Sequence, residues 1–148
     1  MKGTKMSSVS IYLNFKGNTE EAFNFYKSVF GGDFISLQRF RDTPEAGKVA
    51  EKDRDKIMHV ALPILNGYLL MATDTLESMG QKLTVGNNFS IVLNVDSEQE
   101  VNRLFDLLSS GGKAQVKPEN TFWGAYFGMT TDRFGIQWML SYDSNRPQ

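Results

Sequence analysis

The chain holds one imidazole, His59, so any chemistry that needs a general base of that kind runs through it. Asn66-Gly67 lies between two apolar runs, and this pair is a strong hairpin signal because both residues tolerate positive φ. A two-residue loop there sets Leu65 opposite Tyr68 and, stepping back, His59 opposite Asp74. A carboxylate facing an imidazole fixes its tautomer and raises its basicity. The pair is therefore a candidate acid–base couple, the start of a metal site, or a polar pair supporting strand ends. On an ideal hairpin His59 and Met71 take opposite faces unless a bulge intervenes, and Pro63 marks where one would sit. A second constellation is aromatic: Trp123, Tyr126, Phe127 and Trp138. It reads either as core or as a wall that stacks on a planar ligand. A four-residue turn at Asp132-Arg133-Phe134-Gly135 sets Met129 opposite Trp138 and Phe127 opposite Leu140. Tyr126, Thr130, Gln137 and Met139 then share the other face, where Gln137 can orient a ligand by hydrogen bonds. The paired carboxylates Glu20-Glu21 and Asp53 with Asp55 fit a helix start and a solvated loop. No G-x-S-x-G, Walker loop, HExxH or C-x-x-C occurs.

Two elements repeat and must position these residues. Val9 to Phe15 alternates, with Val9, Ile11, Leu13 and Phe15 on one face and Ser10, Tyr12 and Asn14 on the other. A helix follows from Asn18 to Phe30. Asn18 and Glu21 have capping-box spacing, Ala22, Phe25, Tyr26, Val29 and Phe30 form an apolar stripe, and Gly31-Gly32 stops it. Phe34 to Arg41 is a second strand. Asp42 to Lys56 is a charged loop, either simply solvated or a lid. The hairpin Ile57–Leu65 and Tyr68–Asp74 closes the module.

Ser10, Ile11, Leu13, Asn14, Glu20, Phe25, Gly31 and Gly32 recur at one constant offset as Ser90, Ile91, Leu93, Asn94, Glu100, Phe105, Gly111 and Gly112. This is an internal duplication with a period suited to two modules, about 9–74 and 88–142. In the second, Asn88–Val95 is a strand. Ser97–Ser110 is a helix with Ser97 and Glu100 as capping box and Val101, Leu104, Phe105 and Leu108 as stripe. Lys113–Pro118, Trp123–Thr131 and Ile136–Ser141 are strands. Residues 1–8 read as a frayed arm, and the polar stretch after Tyr142 reads as a loose tail. The expected fold is α+β: one domain over 1–148, with two βαβββ modules forming a curved eight-stranded mixed sheet, helices outside and a pocket on the concave side.

Bulk properties narrow the function. A net charge of −1 gives no electrostatic case for nucleic acid or an anionic membrane. No apolar run approaches the roughly 20 residues of a membrane span, and the N-terminus lacks an apolar signal core. Zero cysteines excludes disulfides and thiolate chemistry and fits a cytoplasmic setting. Eleven Phe, five Tyr, two Trp and seven Met are the enrichment, and such side chains fill cores or line pockets for flat, apolar ligands.

The order YLNF–GN–EEAFNFY–FGG, then LMATD, then DRFGIQWML, resembles the PhnB-like branch of the vicinal oxygen chelate superfamily, over about residues 9 to 142. That superfamily also holds glyoxalase I, fosfomycin and bleomycin resistance proteins and extradiol dioxygenases. Arg133 stands where the branch often has proline. Members are often labelled ubiquinone-pathway methyltransferases, yet nothing here resembles a glycine-rich methyl-donor site after a strand of a doubly wound sheet. The resemblance implies paired βαβββ modules and a homodimer. In the family's enzymes a divalent metal is held by His or Gln on each module's first strand and Glu on its last. Those positions fall at Ser10 and Ser90, and at Met71 (within one residue) and Met139. Hydroxyls and thioethers are poor ligands for such ions. The expectation is a small-molecule ligand, planar or apolar, held without the usual metal quartet as in bleomycin-binding members. Ser10, Met71, Ser90, Trp123, Tyr126, Gln137 and Met139 would line the cup. The alternative is a lyase- or isomerase-type enzyme using His59 with Asp74, or a non-standard metal site.

Overall fold

A computed structural model describes residues 6–145. The first five residues of the expected N-terminal arm and the last three of the tail lie outside the described residues. The chain divides into two compact units, Met1–Thr84 and Val85–Gln148. The first runs β1 (Ile11–Phe15), α1 (Thr19–Phe30), β2 (Ser36–Arg39), β3 (Ile57–Ile64) and β4 (Tyr68–Asp74). The second runs β5 (Ile91–Asn94), α2 (Glu98–Ser109), β6 (Lys113–Asn120), β7 (Tyr126–Thr131) and β8 (Gln137–Tyr142). Each unit is a four-stranded mixed sheet, ordered β1-β4-β3-β2 and β5-β8-β7-β6, with its first strand parallel to its last.

In the first unit one sheet face is core. Leu13 and Phe15 of β1, Leu70 and Ala72 of β4, and Val60, Leu62 and Ile64 of β3 are buried and share that parity. Thr19, Ala22, Phe23, Tyr26 and Val29 of α1 are buried too. Phe23, rather than Phe25, is the deep aromatic, because the helix is rotated to pack it edge-on against Phe15 and Tyr26. Fully burying such a side chain contributes about 2–3 kcal/mol.

The helix start differs from the capping-box reading. Asn18 makes no side-chain cap bond. Instead Asp74, only 2% exposed, reaches across the sheet. Its Oδ1 accepts the Thr19 N–H at 3.0 Å and the Thr19 hydroxyl at 2.6 Å, and its Oδ2 accepts the Ile57 N–H at 2.8 Å. One carboxylate thus caps α1 and starts β3. In the second unit the local signal holds: Ser97 Oγ accepts the Glu100 N–H at 3.0 Å. The Glu100 carboxylate turns outward to Arg103, which holds it below the ordinary carboxylate range.

The loop after β2 is ordered by three single 3₁₀ turns at Phe40–Asp42, Ala46–Lys48 and Glu51–Asp53. Val49 and Asp53 are buried within it. Asp53 accepts the Ser78 hydroxyl at 2.5 Å and pairs with Lys56 at 2.7 Å. Arg39 forks onto Glu20 of α1 at 2.7 and 3.0 Å and lowers the pKa of that carboxyl.

Candidate functional site

The β3–β4 hairpin sets the geometry. Its loop is Leu65-Asn66-Gly67, three residues rather than two: Ile64 pairs with Tyr68, and Leu65 and Gly67 carry the positive φ values of 45° and 89°. The pairing therefore moves by one residue, and in a strand one residue is a change of face. Val60 lies opposite Ala72 and Ala61 opposite Met71. His59 does not meet Asp74, whose carboxylate is committed to Thr19 and Ile57 on the helix side. The face away from α1 carries His59 together with Met71, the arrangement that the ideal two-residue hairpin forbade.

That open face can be laid out row by row. Ser36, Ala61, Met71 and Tyr12 form one row across β2, β3, β4 and β1. Gln38 pairs with His59, Asn14 pairs with Thr73, and the same parity continues the row from His59 to Thr73. So an apolar floor of Ala61 and Met71 adjoins a polar row, Gln38–His59–Thr73–Asn14. Tyr12, 46% exposed, leans from the first row to the second. Its hydroxyl oxygen lies 3.3 Å from His59 Nδ1, with the rings 5.9 Å apart and tilted by 32°. Burial pushes the Tyr12 hydroxyl pKa up, partly offset by a hydrogen bond with Thr73. Tyr12 is the site residue that the candidate set lacks. Its signal was present, since strand alternation placed it with Ser10 and Asn14 on the polar face. Ser10 itself precedes β1 and is exposed.

In the second unit the turn after β7 spans Asp132 to Ile136, and Thr131 pairs with Gln137. Trp138 consequently faces Thr130, and Leu140 faces Gly128. Tyr126 and Thr130 lie on the helix side: the Tyr126 hydroxyl donates to Asn102 of α2 at 2.8 Å, and Thr130 Oγ1 meets the Ser109 hydroxyl at 2.7 Å. Tyr126 does not share a face with Gln137 and Met139. Asp132 is a structural staple, accepting the Phe134 and Ile136 N–H groups on Oδ1 and the Trp138 indole N–H on Oδ2 at 2.8 Å.

The middle row of this unit's open face is apolar, with Gln137 and Thr131 on one side of it and Ser141 and Asn94 on the other. Val92, Met139, Met129 and Val116 form one row across β5, β8, β7 and β6. Phe127 lies on the same side and stacks edge-on with Trp123, which the 121–125 turn leaves 56% exposed. Gln137 is on this face but its amide donates to the Phe89 carbonyl. Ser90 precedes β5 and is half-buried. Neither Ser10 and Met71 in the first unit nor Ser90 and Met139 in the second supplies donors that suit a hard or borderline divalent ion. Among the described residues no group of three or more His, Cys, Asp or Glu side chains is placed to hold a metal. The polar cleft between Lys16, Lys56, Asp53 and Glu77 is internally paired, at 2.8 Å for Lys16–Glu77 and 2.7 Å for Lys56–Asp53.

The family model described as 3-demethylubiquinone-9 3-methyltransferase matches residues 7–141. The chain belongs to that family. It is 26% identical to Protein YjdN of Escherichia coli strain K12 over 147 residues, covering 94% of this chain and 97% of that protein. The crystal structure of PA1353 from Pseudomonas aeruginosa is 40% identical with a TM-score of 0.82, covering 93% of this chain and 98% of that one. A PhnB protein from Bacillus cereus is 25% identical with a TM-score of 0.72, covering 92% and 99%. The 3-demethylubiquinone-9 3-methyltransferase family, with its PhnB proteins, shares its fold with glyoxalase-related proteins and the fosfomycin resistance protein FosX of the vicinal oxygen chelate superfamily. Among the described residues no helix is long and apolar enough to cross a membrane.

Proposed function

We propose that this member of the family binds a small organic molecule with a flat or apolar body on the open sheet faces, without the superfamily's metal quartet. The observation that supports it is the row Val92–Met139–Met129–Val116. Thioethers and branched aliphatics occupy a face where a metal enzyme needs carboxylates, and Met side chains adapt to varied apolar shapes. The setting is cytoplasmic, and neither nucleic acid nor membrane is a partner: the net charge of −1 offers no attraction to either. The protein works as a homodimer. Edge strands β1 and β5 are hydrogen-bonded within their own sheets on one side alone, and Phe122, 98% exposed, sits beside Trp123. A lyase- or isomerase-type activity is the second reading. It keeps His59, with Tyr12 in place of Asp74 as its hydrogen-bonded neighbour.

The test is a thermal-shift scan of metal-stripped protein against Mn²⁺, Fe²⁺, Co²⁺, Ni²⁺ and Zn²⁺ and against planar aromatic compounds, with His59→Ala as control. Stabilisation by aromatic compounds and none by any ion is expected; a ligand at 100 times its Kd stabilises by about 2.7 kcal/mol. A metal shift that disappears in His59→Ala would overturn the metal-free reading and favour the enzyme. Light scattering on the same sample should give twice 16.7 kDa; a monomer mass would remove the dimer.

A further inference from the structure

We infer that the polar row of the first unit is a carboxylate subsite, with His59 Nε2 as the group that meets the acid. It rests on the small-molecule reading above and assigns that molecule a chemical class: a monocarboxylic acid with an apolar body. Tyr12 is the key to the assignment. Its hydroxyl occupies Nδ1 at 3.3 Å, which leaves Nε2 as the ring nitrogen open to a ligand. Among the described residues no hydrogen bond takes up Nε2, and His59 lies on the open face.

The surroundings then select the ligand. Gln38 and Asn14 are amides at the two ends of the row, whereas the Thr73 hydroxyl is turned to the Ile57 and Asp74 carbonyls at 3.4 Å. Both amides can donate to oxygen, and neither is charged. The charged side chains of the same elements turn elsewhere. Asp74 of β4 is bound to Thr19 and Ile57 on the helix side, Arg39 of β2 to Glu20 and the Asp55 carbonyl, and Lys16 beyond β1 to Glu77. Among the described residues of β1 to β4, no carboxylate is paired with His59 on that face. A ligand carboxylate supplies the missing anion, and its apolar body lies over Ala61 and Met71 in the adjoining row. A carboxylate favours the charged ring over the neutral one, so by linkage its binding and proton uptake at His59 strengthen each other.

The single histidine makes this directly readable: the imidazole resonances in NMR belong to His59. Benzoate is the probe, and benzyl alcohol is the same ring without the charge. Saturating benzoate should raise the His59 midpoint by about one unit, equivalent to about tenfold tighter binding of the imidazolium. Benzyl alcohol should leave it in place. His59→Gln should abolish the preference for benzoate. If both probes shift the methionine methyl signals while the midpoint stays fixed, or if His59→Gln keeps the preference, the carboxylate subsite is wrong and the small-molecule reading stands. If neither probe perturbs any resonance, both are wrong.

Discussion

Replacing Asp74 with alanine should lower the unfolding free energy by about 3–5 kcal/mol, because three charge-assisted bonds go at once and two buried N–H groups lose their acceptor. For a chain of this size that is roughly a 10 °C fall in Tm. Asp74→Asn should be intermediate: its oxygen can keep Thr19, but its amide then points a donor at the Ile57 N–H. His59→Ala should change stability by less than about 1 kcal/mol, since His59 is half-buried and shares one long hydrogen bond. Urea unfolding of the three variants measures this. Equal stability of Asp74→Ala and wild type would show that the carboxylate does not tie α1 to the sheet.

Gly112→Ala should be the most damaging glycine replacement, costing about 3 kcal/mol or more, while Gly32→Ala should cost about 1 kcal/mol. The two glycines occupy equivalent places in the duplicated sequence but are required for different reasons. A Cβ on Gly112 would stand 2.3 Å from the Thr131 carbonyl oxygen and 2.9 Å from Asp132 Cα, and backbone cannot step aside. A Cβ on Gly32 would meet nothing within 4 Å, so its cost comes from a φ of +78° alone. Replacing Gly32 with asparagine, which tolerates that conformation, should recover part of the loss. Comparable denaturation midpoints for Gly112→Ala and Gly32→Ala would contradict the steric account.

The repeat of strand, helix and double glycine was legible because it rests on local rules, and so was the α2 cap, three residues from the N–H it binds. What escaped was register. Asn66-Gly67 placed the turn correctly, yet Leu65 joined the loop and every partner moved by one. That slip separated His59 from Asp74, brought it to Met71's side, and left Tyr12 as its neighbour. The same happened at Asp132, where the Asp132 N–H bonds to the Ile136 carbonyl and lengthens the turn. Gln137 and Met139 still share one face, but Tyr126 crosses to the helix. Alternation along a strand says which residues travel together; only the loop length says which partners they meet.

The two helix caps also imply an order of events. Ser97 lies beside the helix it caps, so the first turn of α2 can form as soon as its own residues do. Thr19 waits for a carboxylate 55 residues further along the chain. A helix nucleus is costly, and a partner at that sequence distance arrives after loop closure. In folding kinetics, removing the Ser97 hydroxyl should slow folding, whereas removing Asp74 should chiefly speed unfolding. Two halves descended from one repeat would then assemble by opposite routes, one from its helix outward and the other from its sheet inward.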